Sequence, residues 1–133
     1  MRLIHLRWQA FQAYRKTIWK ERRMKNRYIT EMGMGTDVHG RDHTVAAERA
    51  VFDAIHHSSL HFFPHLGKTA SDMEIDLLIG VPEPDAVDKE KIAAVLPYGS
   101  VTVTVKEGGL EIPTQDGDAI IVANAGVIVH IVE

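Results

Sequence analysis

Cysteine is absent from this 133-residue chain. That excludes disulfides, thiolate metal ligands and a thiol nucleophile. It also suits a reducing compartment, so a cytoplasmic location is expected. Long apolar runs are missing too. Nothing approaches the roughly 18 residues that a membrane span requires, so no span is expected. Neither a Gly-x-Ser-x-Gly elbow nor a Walker-type phosphate loop is present. Basic residues are scarce over most of the chain. Residues 1–23 carry seven Lys/Arg against Glu21 alone, a net +6, and the other 110 residues carry eight Lys/Arg against seventeen Asp/Glu, a net −9. An acidic body argues against nucleic acid as a partner and tolerates cations.

What remains is the composition of one globular domain, 45% hydrophobic and 25% charged. Residues 1–23 form a basic amphipathic segment, with Ile4, Trp8, Phe11 and Ile18 near one helical face. Three readings of it stand open: a surface-seeking or targeting helix, a helix docked on the body or on a partner chain, or an extension from an early start codon, with Met24 as a second start. Residues 24–133 read as a single α+β domain.

The body is clearly punctuated. "RYITEM" (27–32) reads as a strand ended by Gly33 and Gly35. "RDHTVAAERAVFDAIHHSS" (41–59) reads as a helix with Ala47, Ala50, Val51, Ala54 and Ile55 on its apolar stripe. An irregular connection over 58–71 precedes the strand "MEIDLLIGV" (73–81). "DKEKIAAVL" (88–96) is a short helix with Asp88 as its N-cap. "SVTVTVKE" (100–107) alternates as a half-exposed strand does. "GG" (108–109) turns into "LEI" (110–112), and "DGD" (116–118) is a second turn. "AIIVANAGVIVHIV" (119–132) is a long strand with Gly126 as an expected bend or bulge. The order β-α-β-α-β-β-β, plus the N-terminal helix, predicts a mixed sheet with two helices on one face. Two helices cannot cover both faces. The last strand is apolar on both, so a homo-oligomer is expected, with a trimer favoured.

One stretch carries the chemistry: "EMGMGTDVHGRDH" (31–43). Gly33 and Gly35, between a strand and a helix, would let backbone N–H groups face an anion at the helix N-terminus. Val38 stands where a dinucleotide-binding loop wants its third glycine, so no nucleotide cofactor is expected. Asp37 and His39 flank one residue, Gly40 removes bulk beside them, and His43 opens the helix. Three readings stay open. Asp37 caps the helix and His39 bonds backbone. Or Asp37, His39 and His43 hold a divalent metal such as Zn²⁺, Mn²⁺ or Fe²⁺. Or His39 is an acid/base oriented by Asp37 in a small-molecule site, with Gly33, Gly35, Gly40, His43 and Glu31 binding the ligand. Six of eight histidines cluster here and downstream: His39, His43, His56, His57, His61 and His65. Glu31, Asp76 and Asn124 interrupt apolar strands and need partners or solvent. Were the first two strands neighbours, Glu31 and Asp76 could share a cleft with the loop.

"GMGTDVHG" (33–40) fits the pattern GxGxDxHG and resembles a small family of uncharacterised bacterial and plant proteins. The resemblance extends to "IGVPEP" (79–84), "VLPYG" (95–99), "VKEGGL" (105–110) and "VANAGV" (122–127). It implies that Gly33, Gly35, Asp37, His39 and Gly40 form a signature, and it implies no activity. By analogy, the strand order is similar to that of small trimeric α+β folds of the chorismate-mutase and ring-opening-amidohydrolase types, whose clefts lie between subunits. Two functions follow as expectations: a small-molecule-binding domain or enzyme acting through this loop, or a non-catalytic oligomeric binding and assembly module in which the motif is structural.

Overall fold

A computed structural model of the chain describes residues 2–56, 72–96 and 99–132, with residues 2, 16–29 and 132 described through their backbone alone. Helix α1 (Arg2–Met24) runs without a loop residue into strand β1 (Lys25–Asp37). Helix α2 (His43–His56) follows, then β2 (Met73–Val81), a 3-10 turn (Pro84–Ala86), the short helix α3 (Lys89–Ala93), β3 (Ser100–Glu107), β4 (Leu110–Pro113) and β5 (Ala119–Val132). The expected connection over 58–71 lies outside the described residues, as do His57, His61 and His65.

The sheet order is β1-β5-β2-β3, with β4 pairing β5. The last strand thus runs up the middle, antiparallel to β1 on one side and to β2 on the other. This follows from its sequence: a strand apolar on both faces is most stable where neighbours flank both edges. β2 and β3 are parallel and joined through α3. Asp88 is the N-cap of α3, its carboxylate accepting the N–H groups of Glu90 (3.1 Å) and Lys91 (3.3 Å). The architecture is the α+β mixed sheet expected, with α2 and α3 on one face. Ala46, Ala47, Ala50, Val51 and Ala54 of α2 and Ile92 of α3 pack there against Ile75, Leu77 and Ile79 of β2 and Val127, Val129 and Ile131 of β5. Each large aliphatic side chain so buried contributes roughly 1.5–3 kcal/mol.

Three expectations about the strands need correction. First, Gly33 and Gly35 do not end β1 but lie inside it, paired with Ala125 and Ala123. Neither has a positive φ. Their reason is proximity: a Cβ at Gly33 would stand 2.3 Å from the Ala50 carbonyl oxygen, and one at Gly35 2.2 Å from the Ala50 nitrogen. The glycines form a track on which α2 lies through Ala46, Ala50 and Ala54, backbone against backbone. Second, Gly126 is neither bend nor bulge. It pairs in register with Met32 and Leu78, and the shift in the β1–β5 ladder falls instead between Arg27 and Ile29. Third, β1 and β2 are not neighbours, because β5 lies between them. Glu31 pairs with Val127 and Asp76 with Ile128, adjacent residues of one strand, so the two carboxylates belong to opposite faces and share no cleft.

Among the described residues, no helix lies over the second face of the sheet. Met32 (79% exposed), Met34, Leu78, Leu110 and Ile112 stand open to solvent there. The edge of β1, by contrast, is managed by α2. The Asp53 carboxylate accepts the Met34 N–H (3.0 Å), and Arg49 Nη1 donates to the Thr36 carbonyl (2.6 Å). Both unpaired edge groups are thereby satisfied.

Candidate functional site

The signature loop leaves β1 at Asp37 and enters α2 at His43, and its polar groups are spent largely on itself. Asp37 is buried, and its Oδ2 accepts the Asp42 N–H at 2.9 Å, while Oδ1 lies 3.8 Å from Arg49 Nη1. Asp42 in turn accepts the Val45 N–H through Oδ1 at 3.0 Å. The positive end of the α2 dipole therefore already holds two carboxylates of its own chain. Two backbone N–H groups at this end, those of Asp42 and Val45, are thereby occupied, and Gly33 and Gly35 lie further back beneath the helix.

Gly40 (φ +87°) and Arg41 (φ 53°) take left-handed conformations that throw the loop outward, a path open to glycine and costly at Arg41. The turn after β4 catches it. Asp118 Oδ2 accepts the Gly40 N–H at 3.0 Å, and Oδ1 accepts the Ala119 N–H at 2.8 Å. Arg41 reaches the Gly117 carbonyl (3.4 Å), Glu111 (3.4 Å) and Asp118 (4.0 Å). The Gly40 amide is the main cause, ahead of Ala119, that holds the Asp118 carboxyl below the usual carboxylate range; His39 lowers it further. The neighbouring Asp116 is lowered too, first by the Thr114 hydroxyl and then by the Asp118 amide.

The pairing expected between Asp37 and His39 does not form among the described residues. His39 is on the surface, its side chain 84% exposed, and the carboxylate beside it is Asp118, with Nδ1 to Oδ2 at 3.8 Å. Asp37 instead faces inward to its amide and Arg49. His43 turns inward as well: its Nδ1 lies 3.0 Å from the Arg41 carbonyl, and its buried Nε2 has no hydrogen-bond partner among the described residues. Asp37, His39 and His43 therefore point apart, and no group of three or more His, Asp or Glu side chains among the described residues converges as a metal site. Glu31, six residues before Asp37, is not joined to the loop. Sequence reasoning read Asp118 only as a turn residue and did not single out Arg41 or Glu111. The acidic "DGD" turn was the available signal, but nothing local says which loop 78 residues away it would hold.

The open sheet face is the second candidate. Across its centre Met32 stands opposite Gly126, and Gly126 opposite Leu78; one step along, Met34 stands opposite Asn124, and Asn124 opposite Gly80. The two glycines hollow a groove lined by Met32, Leu78, Lys106 and Asn124. Asp76, 3.6 Å from His130 Nδ1, lies towards one end of this face.

No helix among the described residues is long and apolar enough to cross a membrane. Comparison with curated proteins finds no match. Among solved structures, a crystal structure from Nostoc punctiforme PCC 73102, described as an FtsZ-like protein of unknown function, is similar at 37% sequence identity. The TM-score is 0.75, and the match covers 82% of this chain and 98% of that one. The family described as "Conserved hypothetical protein (Lin0512_fam)" matches residues 27–129, which takes in the signature loop and all five strands apart from their outermost ends and leaves out α1. The chain accordingly belongs to the Lin0512 family of conserved hypothetical proteins.

Proposed function

We propose that this protein is a non-catalytic, self-associating binding module of the cytoplasm, in which the signature loop is structural. Its open sheet face is the association surface, and a second copy is the occupant. The observation that carries this reading is the uncovered face itself. Met32, Met34, Leu78, Leu110 and Ile112 are exposed on one contiguous surface, whereas isolated exposed apolar residues would need no explanation. The inward bonding of Asp37 and His43 supports the structural role of the loop. A closed ring, such as the trimer expected from the strand order, would cover every copy's face. Sizing with light scattering tests the proposal. The wild-type chain should run as an oligomer at micromolar concentration, and a Met32→Glu/Leu78→Glu double variant as a folded monomer. A monomeric wild type, or a double variant that assembles unchanged, overturns it.

A second reading has its own observation. His39, Arg41 and Asp118 meet on the surface at one loop, an imidazole beside a carboxylate with a guanidinium close by. In that reading His39 is the acid/base for a small polar metabolite, Asp118 takes the orienting role foreseen for Asp37, and Arg41 receives an anionic group. A metabolite that raises the melting temperature of wild type but not of His39→Ala or Arg41→Ala would favour it over the assembly reading.

A further inference from the structure

Helix α1 carries an apolar stripe that the other described residues leave uncovered. Ile4, Trp8 and Phe11 recur at helical spacing and stay exposed, Trp8 at 58%, with the Trp8 and Phe11 rings 6.1 Å apart. Among the elements in substantial contact, α1 touches only β1. It ends at Met24 and β1 begins at Lys25. A chain reversal that laid α1 back over the sheet would need a connection of a few residues, and none exists. Among the described residues, no other element covers this stripe.

The open sheet face offers the matching surface. On the opposite face, glycines in β1 are filled by the backbone of α2. Here Gly80 lies against Gly108 and Gly109 of its own chain, but a Cβ at Gly126 would meet nothing nearer than Leu78 Cβ at 3.9 Å. Glycine inside a strand weakens it and often marks the close approach of another element. The groove has a volume of about 430 Å³, and the Met32 thioether in its lining suits an aromatic ring. The net charges are complementary: residues 1–23 are +6 and the body −9, and this face carries Glu74 and Asp76 beside Lys106 and His130.

We infer that α1 of one copy lies in the glycine groove of a second copy's open face, with Trp8 and Phe11 entering it between Met32 and Leu78. This rests on the assembly reading and names its contact. Trp8 and Trp19 are the only tryptophans, both in α1, so intrinsic fluorescence reports the arm alone. The test combines emission spectra with light scattering on the full chain, over a dilution series, for wild type, Met32→Glu/Leu78→Glu and Phe11→Asp. The inference expects blue-shifted emission in the wild-type oligomer. It also expects a red shift together with dissociation, on dilution and in both variants. Circular dichroism should show that both variants stay folded. An oligomer whose emission is already that of exposed tryptophan, or one that Phe11→Asp leaves intact, overturns the arm contact while leaving the assembly reading standing. A monomeric wild type overturns both. A blue shift that appears only with vesicles containing anionic lipid, with the molecule otherwise monomeric, makes α1 a membrane-surface helix and overturns the inference.

Discussion

The two faces of the sheet use glycine in opposite ways. Under α2, Gly33 and Gly35 are spent on contact. The helix backbone lies where their side chains would be, and the alanine stripe of α2 completes the fit. On the other face Gly126 has only Leu78 Cβ near it, 3.9 Å from where its own Cβ would stand, and it lies between exposed methionine and leucine. The same residue type therefore marks a finished interface on one side and an unfilled groove on the other. A glycine in a strand has no intrinsic meaning until the distance to its nearest neighbour is known.

The sharpest way to break this comparison is Gly35→Ala. The added methyl has no room against the α2 backbone, so the helix must lift from the sheet. Chemical denaturation should show a loss of about 3 kcal/mol, the upper end of ordinary overpacking. A loss well under 1 kcal/mol would mean that α2 is not seated as described. The next largest effect is expected from Asp37→Ala. It leaves the Asp42 N–H without its acceptor at the buried start of α2 and should cost about 2 kcal/mol by the same measurement. An unchanged stability would return Asp37 to the list of residues held for chemistry.

Gly126→Ala makes the reverse case. Alanine is the better strand residue by about 0.5–1 kcal/mol, and its methyl meets only Leu78 Cβ at an ordinary 3.9 Å, so the isolated domain should become slightly more stable. The same methyl partly fills the groove, so assembly measured by sizing should weaken. A loss of stability in the monomer would show that the open face is as tightly constrained as the covered one.

The smallest effect concerns the loop that joins the two regions. Asp118 has a native carboxyl pKa below its unfolded value, so it contributes stability that is complete above about pH 4. That contribution is lost as the pH falls further, through the lowered native value, when protonation removes the acceptor of the Gly40 and Ala119 amides. Thermal melts from pH 5 down to pH 3 should show wild type losing more than Asp118→Asn over that interval. Parallel losses would mean that the Asp118 bonds contribute nothing.

Much of the fold was legible along the chain. The alternation of "SVTVTVKE", the apolar stripe of α2 and the capping aspartate of α3 each encode local structure within a few residues, and each forms as read. The signature could be seen as a signature, but its meaning could not. Strand β1 continues through two glycines because a helix 11 to 21 residues later needs them bare, and sequence spacing carries no distance of that kind. Asp37 turned to an amide, His39 to solvent and His43 to a carbonyl because the left-handed residues at 40 and 41 rotate the loop. That rotation is held by Asp118, far along the chain. The sequence by itself determined the number and kind of elements and the imbalance between two helices and a sheet with two apolar faces. The tertiary structure alone decided that β5 would separate β1 from β2, that the Glu31 and Asp76 carboxylates would face apart, and which of the two faces would stay open. Periodicity is a property of neighbours in sequence, whereas strand order is settled by which edges bury the most apolar surface together.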